Sequence, residues 1–208
     1  MITVWGGQTS RSIRVVWVLE EMGLPYRMRQ VDMLSGVPDT EWLAVNPGNF
    51  LPAIQDGDVT MVESIAIMEY LMGRYGPTPL QPPPHDPAFP AYQQFLHMGE
   101  AGLATLMMPV VVSRFMAPET ERENWGATWC LKAFEKRLKM VSRRLAHSPY
   151  LAGDTFTAAD ISVTYALNLG RRNAGVTLGD AEEAYLARTT GRDAYKRAFE
   201  RSHEGVAA

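Results

Sequence analysis

An α/β sandwich followed by an all-helical bundle is the fold class this chain predicts. Three observations carry it. Short β-branched runs alternate with helical spacing over the first 76 residues. Seven of the fourteen prolines then fall between Pro77 and Pro90. Past them, the apolar spacing is helical throughout.

Each element of the first part has its own signal. Ile2–Trp5 is apolar and β-branched, and Gly6-Gly7 breaks it. Ile13, Val16, Trp17 and Glu20 share helical spacing, stopped by Gly23 with Pro25 just beyond. Tyr26–Val31 reads as a second strand, and Glu41–Val45 as a helical turn ended by Asn46-Pro47-Gly48. Pro52–Gln55 and Val59–Val62 flank Asp56-Gly57, a strong hairpin signal. Glu63–Tyr75 is again helical.

Proline fixes φ and removes a donor, so the proline cluster reads as a stiff linker. The expected domains are therefore 1–76, a linker at 77–87, and 88–208. Helices are expected over Ala88–Ala117, Glu119–Ala146, Thr157–Arg171, Asp180–Arg188 and Asp193–Ser202. The best-marked start is Thr157, whose hydroxyl can cap a helix while Asp160 reaches back, with Phe156 and Ile161 as the apolar pair around it.

Composition narrows the function classes. Lys+Arg number 20 against 23 Asp+Glu, for a net charge of −3, which excludes the basic footprint of nucleic-acid binding. The single cysteine, Cys130, allows no internal disulfide and no CxxC site, and no Cys/His cluster suggests a metal. No basic and apolar leader opens the sequence, and the longest apolar runs are shorter than a membrane span. A cytoplasmic protein with no metal, no membrane and no nucleic-acid partner is expected.

Two segments carry chemistry. In Thr9-Ser10-Arg11-Ser12-Ile13-Arg14, hydroxyls lie where a helix begins, beside amides free to meet an anion or a thiolate. Ser10 or Ser12 can equally serve as a helix cap. In Asn46-Pro47-Gly48-Asn49-Phe50-Leu51-Pro52-Ala53-Ile54, a proline heads a short strand, making Leu51–Pro52 a candidate cis bond. Glu63-Ser64 opens the following helix, where Ser64 can meet a carboxylate and Glu63 an ammonium.

From residue 1 to about 202 the chain resembles a cytosolic glutathione transferase. The likeness rests on Ser10 through Tyr26, the Asn46-Pro47 and Leu51-Pro52-Ala53-Ile54 turn, Asp56-Gly57, Glu63-Ser64-Ile65-Ala66-Ile67 and the Phe156–Ile161 cap. The Ser-Arg-Ser-x-Arg run, with His97-Met98-Gly99-Glu100 later, is most similar to a bacterial and fungal subgroup that uses a serine. The resemblance implies a thioredoxin-like first domain, a helical second domain holding the electrophile site, and a homodimer. It implies glutathione as co-substrate, with Leu51 and Pro52 at its cysteinyl part and Glu63 and Ser64 at its γ-glutamyl end. Ser10 would face the sulfur, with Thr9 and Ser12 as rivals. Phe50 departs from the Lys or Gln common there, weakening a contact to the glycyl carboxylate. Met107, Phe115, Met116 and Trp125 are expected to line the electrophile site. The implied reaction is addition of the thiol to small apolar electrophiles. Glutathione-dependent disulfide or peroxide reduction, and a non-catalytic binding module, are the alternatives.

Overall fold

The computed structural model describes residues 1–7, 10–33, 35–122 and 124–203. Chain contacts divide it into two units, Met1–Thr78 with Gly191–Ala208, and Pro79–Thr190.

The first unit is built on a four-stranded sheet. β1 (Ile2–Gly6), β2 (Tyr26–Gln30), β3 (Ala53–Asp56) and β4 (Val59–Val62) lie in the order β2-β1-β3-β4. β1 runs parallel to β2 and antiparallel to β3, and β3 and β4 form the hairpin around Gly57-Asp58. β1 is central and every one of its residues is buried. Side chains alternate across a strand, so Val4 and Trp5 face opposite sides. α1 (Ser12–Met22) and α3 (Ser64–Tyr75) pack on each other and on the sheet. Trp5 gathers a separate cluster with Val31, Trp42 and Ala53, in which Trp42 of α2 (Thr40–Val45) stacks on Trp5 at 5.9 Å. Asp39 caps α2 by accepting from the Trp42 amide at 3.0 Å, which also draws its carboxyl pKa down.

The last helix of the chain, α9 (Asp193–His203), belongs to this unit and packs along α1. Arg192 forms two hydrogen bonds to Glu21, at 2.6 and 2.7 Å, and Arg197 meets Glu20 at 2.6 Å. Trp17 meets Tyr195 edge-on at 4.8 Å. α9 thus packs with a unit other than the one it follows in sequence.

The second unit is helical: α4 (Phe89–His97), a π-helical turn (Met98–Ala104), α5 (Thr105–Phe115), a 3₁₀ turn (Glu119–Glu121), α6 (Trp125–Leu145), α7 (Ala158–Ala174) and α8 (Asp180–Thr190). α7 is its core and is buried along most of its length. The π turn packs against α7, where Ser162 Oγ donates to the Leu96 carbonyl at 2.8 Å. Gly99 is required there, because a Cβ would lie 2.2 Å from Ser162 Oγ. Thr157 and Asp160 form the expected capping box, and Phe156 and Ile161 are both buried.

Phe89–Phe115 is one helical run of 27 residues, long and apolar enough by length and composition to cross a membrane. Its apolar stretches are interrupted by Gln93, Gln94, His97 and Glu100, so no unbroken run shows in the sequence. Tyr92, Leu96, Leu103, Met107 and Val110 point it into the core of this unit. The proline segment turns repeatedly, and Leu80 is buried, its carbonyl accepting from the Ala158 amide at 2.9 Å. Prolines exclude regular structure; the segment is nevertheless anchored at the start of α7.

Candidate active site

Three segments of the first unit converge in the sequence expectations, and the structure gives each a definite geometry. At the start of α1, Gly6 lets the helix approach the strand, since a Cβ there would sit 2.5 Å from Ser12 Cβ. Ser12 is fully buried, whereas Ser10 is half-buried. Ser10 Oγ lies 2.8 Å from the Gly7 carbonyl and 2.7 Å from Ser12 Oγ, and accepts from the Ser12 amide at 3.2 Å. Ser12 Oγ is itself 3.3 Å from the Gly7 carbonyl.

The amides of this turn are not open. Those of Ser10, Ser12, Ile13 and Arg14 donate to Gly7 O, Ser10 Oγ, Ser10 O and Arg11 O. The expected row of free amides at α1 is therefore corrected: the loop folds back and uses them. What remains is the half-buried Ser10 hydroxyl, which donates to the Gly7 carbonyl and accepts from the Ser12 amide. Thr9 lies outside the described residues.

The second segment is the turn before β3. The Leu51–Pro52 bond is cis, as is Gly76–Pro77. Asn46 shapes the turn, donating from Nδ2 to the Phe50 carbonyl at 2.7 Å and accepting the Gly48 amide at 3.0 Å. Trp42 Nε1 donates to Asn49 Oδ1 at 2.9 Å, holding Asn49 at a φ of 52°. The Leu51 N–H and C=O bond to no other group among the described residues. Pro52 is buried, and Phe50 is 43% exposed.

The third segment is the start of α3. Glu63 is exposed and adopts φ 71°, a left-handed conformation that costs a non-glycine residue roughly 1–3 kcal/mol. No side chain caps the helix, and the Ser64, Ile65 and Ala66 amides have no partner among the described residues. Open amides and the helix dipole together favour an anion. Ser64 is 3% exposed, and Arg14 Nη1 donates to its Oγ at 3.2 Å.

Arg14 had no place among the sequence-derived candidates. Its signal was there to read: in Val15-Val16-Trp17-Val18-Leu19 nearly the whole helix circumference is apolar, so an arginine beside it must go inside. It does, with no exposed surface.

Chain comparisons place these features. Residues 10–73 match the glutathione S-transferase N-terminal domain family, and residues 109–169 the glutathione S-transferase C-terminal domain family. The chain is 30% identical over 151 residues to glutathione S-transferase 3 of Zea mays, covering 71% of this chain and 68% of that protein. It belongs to the glutathione S-transferase family.

Glutathione S-transferase 3 of Schizosaccharomyces pombe is 28% identical over 83% of this chain and 76% of its own length. The solved ternary complex of BphK, described as a bacterial GST, superposes with a TM-score of 0.83 at 25% identity, covering 96% of this chain and 98% of that one. The thioredoxin-like first domain and all-α second domain expected from the sequence are thus present. Of the side chains expected at the transferase's electrophile site, Met107 is a core residue with no exposed surface. Phe115, Met116 and Trp125 are 64%, 73% and 80% exposed, and Trp125 stacks near Trp129 at 6.4 Å. Among the described residues, no cluster of His, Cys, Asp or Glu is placed to hold a metal.

Proposed function

We propose that this chain is a serine-type glutathione transferase that activates the bound thiol for attack on small apolar electrophiles. The observation that carries the reading is the set of unpaired backbone groups in the first unit. The open Leu51 N–H and C=O would pair antiparallel with the cysteinyl residue of glutathione. The open amides and hydroxyl at Ser64 would hold the γ-glutamyl carboxylate, and the exposed Glu63 its ammonium. In antiparallel register, the residue after the cysteinyl falls opposite Phe50.

Ser10 supplies the activating proton. Without ligand its O–H is satisfied by the Gly7 carbonyl. When a thiolate arrives, that proton turns to sulfur, and the Gly7 carbonyl keeps the Ser10 amide at 3.3 Å. Ser12 Oγ–H and the Ser12 amide then both donate to Ser10 Oγ, strengthening it as a donor. A free thiol with a pKa of about 8.5 is roughly 3% ionised at pH 7, and each unit of depression corresponds to about 1.4 kcal/mol. Two units, about 2.7 kcal/mol, make most of the bound thiol nucleophilic. The thiol proton passes to solvent as the thiol ionises. The thiolate then forms a C–S bond, expelling halide from an aryl halide or opening an epoxide C–O bond to an alkoxide that takes a proton from water. Ser10 keeps its own proton throughout.

Reduction through a protein thiol at α1 is disfavoured, because the one cysteine, Cys130, lies in α6. The exposed Phe115, Met116 and Trp125 offer apolar surface to an electrophile, and methionine adapts to varied shapes. A cytoplasmic homodimer completes the proposal; exposed Trp129 and Met140 on α6 supply apolar surface for a second copy. Calorimetry with glutathione, paired with a screen of halogenated aromatic and epoxide acceptors, tests the proposal. Saturable binding with turnover is expected, and absence of binding would overturn it.

A further inference from the structure

Arg14 is an expensive residue to bury. Removing a guanidinium from water costs several kcal/mol unless hydrogen bonds and charge recover it. A methionine or leucine would fill the same space on α1 without that cost. The hydrogen bond from its Nη1 to Ser64 Oγ joins α1 to the first residue of α3, fifty positions on.

The direction of that bond decides what Ser64 can do. Arg has no acceptor, so Ser64 Oγ must accept. One lone pair is thereby committed, and the Ser64 proton meets no acceptor among the described residues. It is available only to a group arriving at the α3 N-terminus, where the amides of Ser64, Ile65 and Ala66 are also open.

We infer that Arg14 is a positioning residue of the thiol-substrate site: it fixes the Ser64 hydroxyl as a donor toward the α-carboxylate of the γ-glutamyl group. The inference rests on the glutathione reading above. It assigns Arg14 a share in affinity and in carboxylate recognition, and none in the ionisation of the thiol.

A double-mutant cycle tests it. Glutathione affinity, bound-thiol pKa and melting temperature are measured for the wild type, Arg14→Met, Arg14→Lys, Ser64→Ala and the Arg14→Met/Ser64→Ala double variant. Arg14→Met and Ser64→Ala should each weaken binding about tenfold, and the double variant about twentyfold in place of the hundredfold that independent sites would give. Arg14→Lys, which keeps the charge and one donor, should stay within about threefold of wild type. The thiol pKa should not move. An analogue lacking the γ-glutamyl α-carboxylate should bind all variants alike. Multiplicative losses, or unchanged affinity in Arg14→Met while Ser64→Ala weakens binding, would overturn the inference. Should Arg14→Met not fold, a folded Arg14→Lys that loses binding tenfold contradicts it equally. If Ser64→Ala itself leaves affinity intact, the glutathione reading fails first and the role of Arg14 fails with it.

Discussion

Ser10 and Ser12 differ by two positions and by most of their exposure, and that difference assigns their roles. Only Ser10 has surface to offer a ligand. Ser12→Ala should raise the bound-thiol pKa by less than a unit, through loss of one bond into Ser10 Oγ; thiolate absorbance against pH measures it. Phe50 governs the other end of the ligand. Phe50→Lys should tighten glutathione three- to tenfold by meeting the glycyl carboxylate, and calorimetry at two salt concentrations would show the gain shrinking with salt. The serine cluster and Glu63-Ser64 were legible in the sequence because residue type and helix position mark them. The ordering of the hydroxyls was not, since it depends on how closely Gly6 lets α1 approach the sheet. Nor was the fate of the α1 amides, which the loop's own fold consumes.

Elements hold these residues in place through contacts between distant parts of the chain. α9 is bound to α1 by the Arg192–Glu21 and Arg197–Glu20 pairs, with Glu21 also accepting from Trp17 Nε1 at 3.0 Å. Arg192→Ala should destabilise the first unit by roughly 1.5–3 kcal/mol, the range for hydrogen bonds to charged groups, as read by urea unfolding. Helical spacing alone groups this helix with the helices before it, because its partners lie 171 and 177 residues away. Helix periodicity shows that an apolar face exists and leaves its partner open.

In the second unit, Asp160 accepts from the Leu151 and Thr157 amides at 2.9 and 2.8 Å and from Tyr185 Oη at 3.0 Å. Burial outweighs these bonds and lifts its carboxyl to about 6, and burial likewise raises the Tyr185 phenol. A carboxyl raised in the folded state stabilises most below its unfolded value and loses that contribution as pH rises through about 6. The capped helix should thus lose up to about 3 kcal/mol of stability between pH 4 and 6.5. Denaturant titrations across that range, with Asp160→Asn as the non-titrating reference, measure the difference. A flat difference would contradict the assignment.

At the scale of the molecule, the two-part architecture was plain in the sequence because strand and helix periods change at a proline cluster. What the cluster hid is that it is anchored: Leu80 is buried and bonded to the start of α7. Sedimentation at micromolar concentration should show a dimer, and monomer alone would remove that part of the proposal. The account turns on one property, a thiol ionised by Ser10. Thiolate absorbance of glutathione bound to the wild type and to Ser10→Ala, followed from pH 5 to 10, measures it directly. A wild-type midpoint near 6.5, returning to about 8.5 in Ser10→Ala with affinity changed less than threefold, is expected. A wild-type midpoint at the free value, or one equally depressed in Ser10→Ala, would contradict the account.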